Sequence, residues 1–163
     1  MAADRLDRID IKILAALQEN GRMTNAALAD LVGLSASPCL QRVKRLEESG
    51  LIVGYSAEIG LQKLIDAIIV FTQVTLGDHR AHDFQKFERG IATFPEVLEC
   101  HLVSGGYDYL LKIVARSVAD YQAFIERVLE RSIGIEKYFS YIVIKSPIQS
   151  RKAPLARLIE DRK

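Results

Sequence analysis

The sequence predicts an α+β protein built from an N-terminal winged helix-turn-helix and a C-terminal ferredoxin-like βαββαβ domain. Apolar residues recur at helical spacing through the N-terminal third of the chain. The pattern then changes to stretches rich in β-branched residues that alternate with amphipathic helices. The chain has 163 residues, of which 49% are hydrophobic, so it can bury two small cores. We expect domains at residues 1–60 and 61–148, followed by a tail at residues 149–163.

Two helices are predicted at the start of the chain. Asp7 can cap the first, Asp10 can complete a capping box, and Asn20-Gly21 ends the helix. Thr24 can cap a second, shorter helix, after which Gly33 supplies a turn. The expected core residues of the two helices are Leu6, Ile9, Ile13, Leu14, Leu17, Leu28 and Leu31.

A short basic amphipathic helix is predicted next, between Ser35 and Gly50. Ser35 can accept from the free N–H groups of the first turn, and Pro38 fits there because that turn does not need its missing N–H. One face is apolar, whereas the rest carries three cations and, before Leu46, no acid. The apolar residues are Leu40, Val43 and Leu46, and the cations are Arg42, Lys44 and Arg45.

A positive helix held by a rigid turn fits the major groove of DNA in shape and charge. The alternative interpretation is a solvated charged face, which is the usual meaning of a basic stripe on a short helix. The two preceding helices favour DNA binding, because together the three form a helix-turn-helix, with residues 51–57 as a wing or hinge strand. The net charge of +1 argues neither for nor against DNA binding.

The second domain is predicted to run strand, helix, strand, strand, helix, strand. The expected strands cover residues 68–76, 97–103, 107–114 and 138–145, and Gly105-Gly106 forms the hairpin turn. Apolar residues occupy both sides of the first strand, which predicts that the sheet face without helices packs against another subunit. The two helices are marked by Phe84, Phe87, Ile91 and Phe94 and by Val118, Tyr121, Ile125, Val128 and Leu129.

Other features of the sequence argue against alternative classes of protein. Cys39 and Cys100 form no short-spaced metal or redox pair, and His79, His82 and His101 lack diagnostic ligand spacing. We therefore expect no metal or other cofactor besides an effector, and packing as the role of Cys39. The sequence contains neither a phosphate-binding loop nor a nucleophile elbow, so no motif predicts an enzyme. The N-terminus lacks a secretory leader and the longest apolar run is short, so we expect a cytoplasmic protein without a membrane partner.

Two stretches resemble the Lrp/AsnC, or feast/famine, family of transcription regulators. Residues 6–55 resemble the DNA-binding half, and residues 95–112 resemble the effector-binding half. The stretches read LDRIDIKILAALQENGRMTNAALADLVGLSASPCLQRVKRLEESGLIVGY and PEVLECHLVSGGYDYLLK. The resemblance implies a strand between the two domains, homo-oligomers in which dimers assemble into octamers, and control by an amino acid.

The sequence departs from the family pattern at two places. Many members have proline directly after the serine at position 35, whereas this chain has Ser-Ala-Ser-Pro at residues 35–38. Leucine-responsive members carry an acid where this chain has Gly106. The second departure leaves the effector open between leucine and another amino acid. The tail after Pro147 lacks a family pattern, and its weak apolar spacing predicts a short helix or a partly ordered arm.

Double-stranded DNA would be read by side chains on the outer face of the basic helix. Arginine can form two hydrogen bonds to guanine and glutamine two to adenine, while serine can bind a base or a phosphate. Replacing Arg45 by alanine is then expected to weaken DNA binding by about 1–3 kcal/mol. The expected DNA-binding residues are Thr24, Ser35, Ser37, Gln41, Arg42, Lys44 and Arg45, of which Thr24 and Lys44 are assigned to phosphates.

An amino-acid effector needs partners for a buried ammonium and a buried carboxylate. Asp108 can accept from the ammonium, and the turn at residues 104–106 can offer backbone N–H groups to the carboxylate. From the residues alone, these positions also fit a plain hairpin turn and a strand-edge carboxylate; the resemblance favours the effector site. The resemblance also adds three residues of the last predicted strand to this site. The expected effector-binding residues are Ser104, Gly105, Gly106, Tyr107, Asp108, Tyr141, Ile142 and Val143.

The sequence therefore predicts a sequence-specific transcription regulator whose oligomeric state and DNA binding are modulated by an amino acid. An architectural DNA-organising protein of weak specificity is the alternative. The two differ in the ratio between affinity for a specific site and affinity for random DNA at the same salt concentration.

Overall fold

A computed structural model describes residues 6–150 and 152–160 of the chain. These residues divide into two compact units: residues up to Glu58 together with those from Ile148 onward, and Ile59–Pro147. Two separate cores result, as the change of periodicity predicted. No helix among the described residues is long and apolar enough to cross a membrane.

The first unit contains three helices: α1 (Arg8–Glu19), α2 (Asn25–Val32) and α3 (Ala36–Glu48). The predicted capping box of Asp7 and Asp10 is present, and Thr24 accepts from the N–H of Ala27. Gly33 adopts the left-handed conformation that ends α2, with φ of 75°. Ser35, by contrast, makes no side-chain capping hydrogen bond. The core consists of Ile13, Ala16, Leu28, Ala29, Val32, Cys39 and Leu46.

Several expectations for this unit need correction. Leu31 is 57% exposed and Leu40 is 44% exposed, because the buried faces of α2 and α3 instead centre on Ala29 and Val32 and on Cys39 and Leu46. The wing or hinge strand predicted at residues 51–57 does not form, since a strand needs a partner with which to share backbone hydrogen bonds. Cys39 is fully buried, which fits the expected packing role, and burial raises the pKa of its thiol.

The second unit has the predicted order: β1 (Ile68–Leu76), α4 (Ala81–Ile91), β2 (Val97–Leu102), β3 (Tyr109–Ala115), α5 (Val118–Glu130) and β4 (Ile135–Ile142). A short 3-10 turn at Leu61–Lys63 precedes them. The antiparallel sheet has the order β2-β3-β1-β4. β4 begins three residues earlier than predicted, because its pairing with β1 starts where Ile135 lies opposite Leu76.

Both helices of the second unit cover one face of the sheet. Alternate residues of β1 and β3 point into that core, which includes Val70, Val74, Leu111 and Ile113 with Phe87 and Phe124 from the helices. The outer face carries half-buried and exposed side chains of β1 and β4. The exposed side chains on this outer face include Phe139 and Tyr141.

The tail returns to the first unit. Its helix α6 (Leu155–Glu160) packs against α1, so the prediction of a short helix was correct. The side-chain amide of Gln18 donates to the carbonyl of Ala153 at 2.8 Å and accepts from its N–H at 3.2 Å. Lys152 Nζ lies 2.6 Å from Glu19 Oε2. Because the tail belongs to the first unit, the chain crosses between the two units twice, after Glu58 and after Pro147.

Candidate functional site

The outward face of α3 is formed by Ser37, Gln41 and Lys44, which are all exposed. At about 100° per residue, these three positions lie opposite Cys39 and Leu46, which are buried in the core of the first unit. The face is polar and carries one cation, Lys44, and one acid, the exposed Glu48 at its C-terminal end. Its geometry therefore suits an extended polar surface such as a DNA groove.

The other two cations of α3 are engaged by carboxylates of α1. Arg42 Nη1 lies 2.6 Å from Asp7 Oδ2 and 2.8 Å from Asp10 Oδ1. Arg45 Nη2 lies 2.6 Å from Asp10 Oδ2. The sequence predicted base contacts for both arginines, but the structure places their guanidinium groups on neighbouring acids. Sequence reasoning missed this because it treated Asp7 and Asp10 only as caps of their own helix.

These contacts perturb the charges of the exposed partners. The backbone N–H of Asp10 and the guanidinium of Arg42 hold the pKa of Asp7 below its ordinary value of 3.8. Asp7 and Asp10 in turn raise the pKa of Arg42. Both groups therefore stay charged through the physiological range.

A second contact fixes the start of α3. Asn25, the first residue of α2, donates from Nδ2 to the carbonyl of Ala36 at 2.8 Å. The two helix starts, each preceded by a predicted DNA-binding residue, Thr24 or Ser35, are thereby joined. No sequence pattern pointed to Asn25, because the bond depends on the relative placement of two helices.

In the second unit, Asp108 is the most strongly positioned of the predicted effector residues. Its Oδ2 accepts from the backbone N–H of Leu76 at 2.8 Å. The imidazole Nε2 of His79 lies 3.0 Å from Oδ1 and 3.1 Å from Oδ2. The carboxylate is therefore a fixed acceptor at the end of β1. In the sequence, His79 stands out only as a candidate metal ligand. Its contact with Asp108 could not be predicted, because the contact depends on the pairing of β1 with β3.

The turn before Asp108 is open to solvent. Ser104, Gly105 and Gly106 are exposed and Tyr107 is half-buried. Gly105 has φ of 153°, which explains the glycine, whereas a side chain at either glycine would meet no atom within 4 Å. The backbone groups of this turn are therefore accessible to a ligand.

The three predicted effector residues of the last strand lie at the other end of the sheet. Ile142 is opposite Val70, whereas Tyr109, next to Asp108, is opposite Val74. Four residues along a strand correspond to roughly 14 Å, and β1 lies between β3 and β4. One copy of the chain does not bring Asp108 and the group Tyr141, Ile142 and Val143 into a single pocket.

The main cavities lie elsewhere. A groove of about 300 Å³ between α4 and β2 is lined by Phe94, Cys100, Leu102 and Tyr109 among others, and another of about 420 Å³ lies along α1 and α2. Neither includes a predicted site residue. Within the described residues, no group of three or more His, Cys, Asp and Glu side chains could hold a metal ion.

Comparison with known protein families matches both units. Residues 6–53 match a family described as winged helix-turn-helix DNA-binding. Residues 69–153, more than half of the chain, match the Lrp/AsnC ligand binding domain. The two matches follow the order of the two predicted domains.

Individual proteins are similar over most of their length. The chain is 44% identical over 142 residues to the transcriptional regulatory protein DoeX of Halomonas elongata, which covers 87% of this chain and 90% of that protein. It is 41% identical over 145 residues to the leucine-responsive regulatory protein of Haemophilus influenzae, covering 89% and 87% of the two chains.

Solved structures agree with these sequence matches. A transcriptional regulator from Neisseria meningitidis, in complex with L-Met, has a TM-score of 0.88 at 34% identity, covering 95% of this chain and 100% of that one. An AsnC family transcriptional regulator from Agrobacterium tumefaciens has a TM-score of 0.88 at 33% identity, covering 94% and 100%. The similarity therefore spans both units.

Proposed function

This chain belongs to the Lrp/AsnC family of transcriptional regulators, and from that premise we propose that it binds specific DNA sequences under the control of an amino acid. The family consists of regulators and not of enzymes, in agreement with the sequence prediction. The observation that carries the proposal is the exposed polar face of α3, whose opposite face is buried in a helix-turn-helix.

Ser37, Gln41 and Lys44 are the side chains best placed to meet DNA. Glutamine can form two hydrogen bonds to adenine, serine can bind a base or a phosphate, and lysine can bind a phosphate or guanine. Thr24 and Ser35 immediately precede α2 and α3, where helix N–H groups favour a phosphate. Arg42 and Arg45 act through their contacts with α1.

Selection from a pool of random duplexes tests the DNA-binding half of this proposal. Enrichment of one sequence, with affinity at least a thousandfold above that for random DNA at the same salt concentration, is the expected result. Recovery of unrelated sequences with equal affinities would instead support the architectural alternative.

The amino-acid half of the proposal rests on the chemistry of Asp108 and its turn. A fixed carboxylate can bind an ammonium group, and the exposed N–H groups of residues 104–106 can bind a carboxylate. The Neisseria meningitidis regulator was solved with L-Met, which supports an amino acid as the ligand. Leucine or another amino acid remains the proposed effector.

We place the complete effector site between subunits. Asp108 and the group Tyr141, Ile142 and Val143 lie at opposite ends of the same sheet, so a second copy is needed to bring the two groups together. Phe139 and Tyr141 are about half exposed on this sheet, and such apolar surface is typical of a subunit interface. A dimer that assembles into an octamer would provide these contacts.

A thermal-shift screen of the protein-forming amino acids would identify the effector, because a ligand that binds the native state raises its stability. Calorimetry then compares the native protein with Asp108→Asn, which keeps an oxygen for the N–H of Leu76 but loses the charge. We expect the variant to lose amino-acid binding and to retain DNA binding. Unchanged affinity for the amino acid would remove Asp108 from the site.

A further inference from the structure

The carboxylate of Asp10 is a charged group inside the core of the first unit. Asp10 is fully buried, although it lies in the first turn of an otherwise solvent-exposed helix end. A buried carboxylate is tolerated only if donors compensate for the water it has lost. Its partners therefore indicate what the residue does.

Three donors surround this carboxylate. The N–H of Asp7 lies 3.1 Å from Oδ2, Arg42 Nη1 lies 2.8 Å from Oδ1, and Arg45 Nη2 lies 2.6 Å from Oδ2. Asp7 also accepts from Arg42. Two carboxylates of α1 thus face two guanidinium groups of α3, and the cluster is neutral.

The position of the two arginines on α3 explains why they reach α1. At about 100° per residue, Arg42 lies beside the buried face of Cys39 and Leu46, and Arg45 lies on the same flank. Lys44 lies on the outward face. Both arginines are paired with acids at the start of α1, so Lys44 is the one cation of the three without a carboxylate partner among the described residues.

We propose that Asp10 is a positioning residue for DNA reading: it orients α3 through Arg42 and Arg45 and keeps both guanidinium groups off the DNA phosphates. This inference rests on the proposed binding of DNA by α3. A guanidinium that left Asp10 would remove one of the three donors that compensate this buried charge, so a hydrated phosphate is a poor competitor for it. Specificity then depends on Ser37 and Gln41 held at a fixed angle, while Lys44 contacts a phosphate.

The dependence of DNA affinity on salt separates phosphate contacts from positioning contacts. Arg45→Gln and Lys44→Gln each remove one cation from neighbouring positions of the same helix, and both are measured on the same duplex. Loss of one phosphate contact lowers the slope of log K against log salt by about 0.9. We expect that change for Lys44→Gln and an unchanged slope for Arg45→Gln.

The two substitutions distinguish the two proposals. A slope that falls by about 0.9 in Arg45→Gln would overturn the positioning role, because Arg45 would then be a phosphate ligand. An unchanged slope in Lys44→Gln would instead contradict the proposed DNA face of α3. Neither result depends on whether an amino acid is bound.

Asp10→Asn tests the positioning role more directly, with Asp7→Asn as its matched control. Both remove one negative charge from the first turn of α1, and asparagine can still cap at position 7. We expect Asp10→Asn to lower the ratio of specific to random-DNA affinity by tenfold or more and to steepen the salt slope, since it frees the guanidinium of Arg45, whereas Arg42 keeps its contact with Asp7. Asp7→Asn should keep the ratio, because Asp10 still holds both arginines.

An unchanged ratio and slope in folded Asp10→Asn would overturn the proposal. Circular dichroism establishes whether the variant is folded at the assay temperature. If Asp10→Asn is unfolded at that temperature, the salt slope of Arg45→Gln still tests the positioning role. The Arg45 side chain is half exposed, so its replacement should leave the protein folded.

Discussion

Asp7 and Asp10 lie one turn apart on α1 and carry the same charge, but their surroundings differ. Asp10 is buried against two guanidinium groups, whereas the side chain of Asp7 is 48% exposed and contacts one guanidinium, that of Arg42, besides the backbone N–H groups that it caps. The same residue type therefore serves as a structural anchor at one position and as a titratable surface group at the other.

The stability of the first unit should depend on Asp7 at acid pH. The N–H of Asp10 and the guanidinium of Arg42 lower the folded pKa of Asp7 below 3.8, so its ionised form stabilises the fold at pH values above that figure. The contribution is lost as the pH falls through the folded pKa. Acid unfolding of Asp7→Asn should lack this part of the pH dependence.

Denaturant melts of the native protein and Asp7→Asn between pH 2 and 6 measure this effect. The free energies of unfolding should differ above about pH 4 and converge at lower pH. A constant difference across the whole range would show that Asp7 does not act through its charge.

At the scale of elements, α4 depends on a close approach that only glycine permits. Gly90 is the penultimate residue of this helix, and glycine within a helix is less favourable than alanine. A Cβ at Gly90 would lie 2.5 Å from Cγ2 of Ile133, which is buried. The backbone of the helix at Gly90 thus packs directly against the Ile133 side chain, in the segment between α5 and β4.

Gly90→Ala should destabilise the second unit despite the better helix propensity of alanine. Overpacking a core costs about 1–3 kcal/mol, whereas the propensity gain is about 1 kcal/mol, so a net loss is expected. Gly77→Ala is the control, because its Cβ would make an ordinary contact of 3.8 Å with Glu136. A variant Gly90→Ala as stable as the native protein would mean that Ile133 moves at no cost.

At the scale of the whole molecule, the chain passes between its two units twice, and its second passage ends on the DNA-binding unit. The tail is held there by the pair of hydrogen bonds between Gln18 and Ala153, by Lys152 and by the packing of α6 on α1. The first unit is therefore completed by residues from both ends of the sequence.

Removing residues 148–163 should selectively destabilise the first unit. Two hydrogen bonds and a small apolar contact are worth about 1–3 kcal/mol together, and an exposed ion pair adds little. Scanning calorimetry should show earlier melting of that unit. Gln18→Ala should show a smaller effect in the same direction. Unchanged melting after truncation would mean that the tail adds nothing to α1.

The sequence by itself predicted the three helices of the first unit, the order of helices and strands in the second, the two cores, the Asp7 cap and the family, because these depend on periodicity and on motifs local in the chain. Only the tertiary structure showed the contacts of Arg42, Arg45 and His79, since each contact joins elements far apart in sequence. It also separated Asp108 from Tyr141, because strand order determines which residues share one end of the sheet. Charged side chains reach whichever partner the packing brings near, and that partner is not encoded in their spacing.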